Sequence, residues 1–236
     1  MRLILTSLRL EAAVVCRHLR GVRVVESGQC RTWTGRAPDG GPVAVCCVGW
    51  GPERSARVAE AVLDRLQPEA VVNWGAGGAL VPWLQVGDAV VCGSVVDGRT
   101  GKRWRSSEGL FDGCDTASLA GVSVACADWL TWPRPVFRRG TRVELARRYG
   151  CGLVEMESAA LCRLATERGV PFAALRVVSD ALEGPRLPSA SYLSHLRESF
   201  HDGARCLLEL CDRLENNRRK TRMNADKAND ENEAIE

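Results

Sequence analysis

Acidic residues stand at two apolar strand ends in the segment LVEMESAALCRLATERGVPFAALRVVSD, residues 153–180. A short apolar strand runs into Glu155 and Glu157. A helix follows, broken at Gly169 and Pro171, and a second apolar strand ends at Ser179 and Asp180. In open α/β sheets, ligands bind just beyond the carboxyl ends of strands. From Glu157 the helix puts Ala160, Leu161, Leu164 and Ala165 on one face, at the spacing of a buried stripe. A carboxylate heading such a stripe must be paired, bonded or neutralised. Each acid also has a local reading. Glu157 suits the positive end of the helix dipole, and Asp180 suits a turn or N-cap after a strand. Glu11 heads a similar stripe with Val14, Val15 and Leu19, with the same helix-terminal alternative. Carboxylates converging from separate stretches suit acid–base chemistry and the stabilisation of a developing cation.

These acids need elements to hold them. The 236 residues suffice for one α/β domain with a full core. Strands are expected at Leu3–Leu5, Val43–Val48, Ala70–Trp74, Val86–Val91 and Val122–Cys126. Helices are expected at 11–19, 53–66 and from about Ser189 to Leu214. Glycines 75, 77 and 78 lie in NWGAGGAL and read as a turn, where backbone can approach a ligand closely. Their spacing is not that of a dinucleotide-binding loop. Gly49 and Gly51 form a second glycine-rich strand-to-helix turn. Residues 98–118 read as a surface excursion and Trp129–Arg139 as a loop. Strands alternating with helices point to a layered α/β domain at 1–214. Residues 215–236 are almost wholly polar and read as a disordered tail.

Composition narrows the class. The net charge is +3, and no basic stripe lies on one element, so no nucleic-acid partner is expected. Most of the eleven cysteines sit in apolar runs, where the free thiol behaves as a small hydrophobe. No CxxC pair or Cys/His ligand spacing appears, so no metal site is expected. The apolar start MRLILTSL is too short for a signal peptide or a membrane span. The expected compartment is a reducing cytoplasm.

Taken together, VEMESAALCRLATERGVPFAALRVVSD, NWGAGGALVPWLQVGD and the LEA around Glu11 resemble the nucleoside phosphorylase and nucleosidase superfamily. The similarity is greatest to its methylthioadenosine/S-adenosylhomocysteine nucleosidases and hopanoid-associated phosphorylase-like members. It spans residues 3 to about 210. It implies a three-layer fold, a central mixed β-sheet flanked by helices. It also implies a homodimer, a nucleoside substrate with or without phosphate, and no cofactor.

The roles it implies fall residue by residue. Glu157 would bind the ribose hydroxyls, with Met156 beneath the sugar and Glu155 beside them. Asp180 would act at purine N7, with Ser179 next to it, and Glu11 would orient the attacking water. Ala76 and Gly77 would line the nucleophile side. The implied reaction is hydrolysis of a purine nucleoside, adenine first among the bases. Phosphorolysis is an alternative, including action on a hopanoid-linked adenosine, and a nucleoside-binding module without turnover is another. The chemistry suits these groups, because N-glycosidic cleavage builds positive charge on ribose and negative charge on the base. Asp180 would then keep its proton near neutral pH through burial.

Thr6, Ser7, Leu8 and Arg9 depart from the family's small residues before the first acid. Ala76 stands where several relatives carry a hydroxyl. The phosphate-binding arginine loop of the phosphorylases is not visible, which leans toward water. Arg9 is the one substitute at hand, although a solvent-facing helix-entry role fits it better. Trp129, Leu130 and Trp132 are candidates for a base-stacking wall, or for packing and an oligomer contact. Arg176, in an apolar strand, is expected to pair with a buried acid. A purely structural protein would instead have Glu157 and Asp180 both paired with cations and no pocket between them.

Overall fold

The computed structural model describes residues 1–27, 30–106, 116–183 and 190–233. Among the described residues, eleven strands form one mixed sheet. They are β1 (Arg2–Thr6), β2 (Arg20–Ser27), β3 (Cys30–Arg36), β4 (Pro42–Cys47), β5 (Ala70–Ala79), β6 (Ala89–Asp97), β7 (Arg103–Arg105), β8 (Thr116–Leu119), β9 (Val122–Thr131), β10 (Leu153–Glu155) and β11 (Phe172–Asp180). The helices are α1 (Arg9–Cys16), α2 (Pro52–Leu66), α3 (Arg139–Tyr149), α4 (Ser158–Glu167) and α5 (Ala190–Glu233). The strand order is β10-β9-β6-β11-β5-β1-β4-β3-β2, with β7 on β6 and β8 on β9. Helices cover both faces, giving the three layers expected.

Burial on both faces explains the continuous apolar strands. In β1, Leu3 and Leu5 face a core shared with Val58, Val62 and Leu63 of α2 and Leu161 and Leu164 of α4. Ile4, between them, faces the opposite core with Val15 of α1 and Leu207, Cys211 and Leu214 of α5. Helix α2 starts with Pro52 after Gly51 (φ 84°), an entry that costs no backbone hydrogen bond. Helix α3 ends on Gly150 in the left-handed region.

The glycine segment departs from expectation. Residues 75–79 are not a turn, because β5 runs on through them. Arg176, Val177 and Val178 of β11 pair beside Gly75, Ala76 and Gly77, while Leu153 and Val154 of β10 pair antiparallel with Ala79 and Gly78. The β5–β10 pairing joins β5, β11, β6, β9 and β10 into a closed ring. Small residues are required there: a Cβ on Gly77 would stand 2.7 Å from Leu153. Tertiary pairing overrides the local breaker signal.

Other differences follow from burial and pairing. Strand β9 extends to Thr131, so Trp129 and Leu130 are fully buried in the sheet rather than in a loop. Neither can form a base-stacking wall or an oligomer contact. Trp132 lies against Tyr149, ring centroids 6.2 Å apart. Helix α3 occupies 139–149, where none was expected, and the antiparallel strands β2 and β3 occupy 20–27 and 30–36. Helix α5 passes the buried Leu214 and continues to Glu233. The polar tail read from residue 215 continues α5 through 233. It contains no Gly or Pro to stop the helix. The middle of the 98–118 excursion (107–115) and residues 234–236 lie outside the described residues. Among the described residues, no helix is long and apolar enough to cross a membrane.

Candidate functional site

The strand ends expected to carry chemistry meet at one cavity of about 270 Å³. Glu11, Ala76, Gly77, Glu155, Met156, Glu157, Ser179 and Asp180 all line it, with Arg142 and Arg176. Leu8, Trp50 and Phe137 also line it and are exposed.

Glu11 is held from three backbone positions. As third residue of α1, it takes the N–H of Leu8 at 2.9 Å and of Ser7 at 3.0 Å on Oε2. Its Oε1 accepts from Ala76 of β5 at 3.0 Å. It is therefore both a helix-terminal acid and a tie between α1 and the ring. Only 5% of it is exposed, and desolvation raises its carboxyl above the ordinary value. Arg176 and the three backbone donors oppose that rise. Gly75 makes the approach possible, because a Cβ there would meet Glu11 Oε1 at 2.5 Å. Arg9 is exposed at the start of α1 and does not line the cavity.

Glu155 and Glu157 differ in kind. Oε2 of Glu155 accepts the backbone N–H of Glu157 at 2.9 Å and of Ser158 at 2.8 Å. It also accepts from Ser158 Oγ at 2.9 Å and Arg176 Nη2 at 3.0 Å. Thr131 Oγ1 donates to its other oxygen. These donors saturate Oε2, so Glu155 anchors the α4 N-terminus and Arg176 and has little capacity left for a ligand. Glu157, the N-cap residue of α4, accepts the Gly51 N–H at 2.9 Å and lies 3.9 Å from Arg176. Its carboxyl is pushed up to about 7, first by burial and then by Glu155. Arg176 and the Gly51 N–H oppose that rise. Arg176 does pair with a buried acid, as expected, and its guanidinium also lies 5.4 Å from the Trp129 ring.

At the other end of the cavity, the β11–β5 register slips between Val178 and Asp180, a bulge at Ser179. Bulges re-aim side chains beside sites. Ser179 Oγ lies 2.6 Å from Asp180 Oδ1 and 3.2 Å from Gly77 O. Asp180 Oδ2 is ion-paired with Arg142 of α3. The Asp180 side chain is 43% exposed. Asp180 is therefore partly buried, with its carboxylate between Ser179 and Arg142.

Arg142 is the site residue that sequence reasoning missed. It is buried, and its Nε donates to Val136 O at 2.7 Å while Nη1 donates to Ala181 O at 3.2 Å. The available signal was the helical spacing of Arg142, Leu145, Ala146 and Tyr149. The condition for a purely structural protein is only half met: both acids have cationic neighbours, yet a cavity lies between them.

Comparison with known proteins agrees with this architecture. The family model for the phosphorylase superfamily matches residues 2–212. The 5′-methylthioadenosine/S-adenosylhomocysteine nucleosidase of Geobacillus thermodenitrificans (strain NG80-2) is 28% identical over 194 residues, 72% of this chain and 79% of that one. The corresponding Campylobacter jejuni enzyme has a crystal structure that superposes with a TM-score of 0.77 at 15% identity, covering 90% of this chain and 98% of that one. A futalosine hydrolase mutant of Helicobacter pylori gives 0.75 at 17% identity, covering 90% and 98%. At such identities the structural likeness speaks for the fold. With the fold, the cavity and a match over nearly the whole chain in hand, the protein belongs to the phosphorylase superfamily, as an enzyme of its N-ribosyl hydrolase or nucleoside phosphorylase class.

Proposed function

We propose that the protein hydrolyses the N-glycosidic bond of a purine nucleoside and releases the free base, with adenine as the base. The observation that carries this reading is the meeting of Glu11, Glu157 and Asp180, from three distant stretches of chain, on one nucleoside-sized cavity. Glu157 binds the ribose hydroxyls, with Met156 under the sugar. Its carboxylate favours the cation that develops on the ring. Asp180 delivers a proton to N7 as the bond breaks. Arg142, paired with Asp180, is placed to stabilise the carboxylate left behind. Glu11, fixed by Ser7, Leu8 and Ala76, orients water on the opposite face of the sugar.

Water suits this site better than phosphate. Glu11, Glu155 and Glu157 surround Arg176 while the second buried cation of the cavity, Arg142, is engaged by Asp180, so an incoming phosphate would add to an excess of negative charge. The exposed Trp50 and Phe137 suit the homodimer that the family resemblance implies.

Incubation with adenine, guanine and inosine nucleosides, with and without phosphate, tests the reading by following free base. Release without phosphate is expected, and Asp180→Asn should slow it by about 100- to 10,000-fold. Release only with phosphate replaces hydrolysis by phosphorolysis. Binding with no release at any pH leaves a binding module, and neither binding nor release refutes the site.

A further inference from the structure

Away from the nucleoside cavity, two thiols stand unusually close. Thr32 of β3 lies opposite Cys46 of β4. Cys30, two residues from Thr32, therefore sits diagonally across from Cys46 on the same face of the sheet. The two Sγ atoms are 3.1 Å apart. A disulfide needs about 2.05 Å, so closing the bond takes roughly one ångström of motion. Cys46 is fully buried, whereas Cys30 is half-buried and the more exposed of the two. The Cys46 S–H donates to Cys30, Thr32 Oγ1 lies 3.8 Å from Cys30, and Arg65 contributes positive charge. The Cys46 hydrogen bond comes first among the causes that bring the Cys30 thiol down to about 6, and the same bond and burial push Cys46 up. A partly exposed, low-pKa thiol beside a second thiol is the arrangement of redox-responsive cysteines. Cys47 is excluded as the partner, because it points to the other face of β4 and donates to Ser7 O.

We propose that Cys30 and Cys46 form a reversible thiol–disulfide pair, with Cys30 the sulfur that reacts with a peroxide and Cys46 the sulfur that resolves it. The Cys30 thiolate attacks one peroxide oxygen, the O–O bond breaks, and the departing hydroxide takes a proton to become water. Cys30 is then a sulfenic acid. Cys46 sulfur attacks it, the S–S bond forms, the S–O bond breaks, and a second water leaves with the Cys46 proton. In sum, two thiols and one hydrogen peroxide give one disulfide and two waters. A dithiol reductant reverses the change.

The test uses the full reduced chain, treated with hydrogen peroxide at pH 7, blocked with iodoacetamide and mapped by peptide mass spectrometry. The expected result is a Cys30–Cys46 linkage, two hydrogens lighter than the separate peptides and lost on treatment with dithiothreitol. Before oxidation, Cys30 should alkylate at least about tenfold faster than Cys16, whose thiol burial raises to about 11. Cys46→Ser should stop the reaction at a Cys30 sulfenic acid that dimedone traps, and Cys30→Ser should abolish both products. Should Cys46→Ser fail to fold, the wild-type map still decides. Cys30 linked elsewhere, or Cys30 and Cys46 both still alkylatable after oxidation, overturns the proposal.

Discussion

Replacing Glu157 by Gln removes a charge from a buried site while keeping its shape. Glu157 is 4% exposed, and its carboxyl moves from an ordinary 4.5 to about 7 in the fold, chiefly through desolvation. The folded protein therefore holds a proton there that the unfolded chain releases. For a group raised in this way, the stabilisation is full below pH 4.5 and is lost as pH rises through 7. The gap between 4.5 and about 7, at about 1.4 kcal/mol per pH unit, corresponds to about 3 kcal/mol. An amide is neutral at every pH and still offers an oxygen to the Gly51 N–H. Glu157→Gln should thus match the wild type near pH 4.5 and exceed it by about 2–3 kcal/mol at pH 8. Urea unfolding of both proteins at the two pH values measures this directly. Under the proposed function, the same change should lower base release by about 100- to 1,000-fold, because the carboxylate that favours the ribose cation is gone. A variant less stable than the wild type at pH 8, or a difference that does not change with pH, would show that Glu157 is ionised and well paired in the fold. The reasoning would then fail.

Three further outcomes are expected. Arg176→Met leaves Glu155 and Glu157 buried without their cation and should cost about 3–5 kcal/mol in urea unfolding at pH 7.5. Adding Glu155→Gln should recover a large part of the loss, and a cost under about 1 kcal/mol would refute the pairing. Gly75→Ala puts a Cβ 2.5 Å from Glu11 Oε1 and should slow base release at least about tenfold by moving the acid; an unchanged rate counts against Glu11 acting in the reaction. Gly203→Ala brings α5 into the Trp74 ring, with the new Cβ 2.6 Å from it, and should cost about 1–3 kcal/mol. Its turnover should stay normal, because Gly203 does not line the cavity; a stability equal to wild type would show that α5 can shift freely.

Much of the frame was legible because it depends on local pattern. Continuous apolar runs marked β1, β4 and β11, and helical spacing marked α2 and the buried part of α5. Acids where chain direction changes marked the site, and Glu11, Glu157, Ser179 and Asp180 all line the cavity. What failed to show depended on distant partners. Gly75–Ala79 looks like a turn in one dimension, and becomes strand because β10 and β11 flank it. Trp129 looks like part of a proline-rich loop, and is buried because β6 and β10 pair with β9. Arg142 carried no chemical signal of its own until α3 brought it to Asp180, thirty-eight residues on.

The order of the chain determined which acids exist and that they lie where strands end, since hydrophobic period and helix-terminal chemistry act over a few residues. The surroundings of each acid were decided only in three dimensions. Glu155 spends its oxygen on Arg176 and the α4 backbone. Glu157 holds the Gly51 N–H in the same dry space with Arg176 farther off, and Asp180 meets a guanidinium at a half-open edge. An acid's protonation follows from how much water is removed and which charges approach through space, and neither is written in its neighbours along the chain.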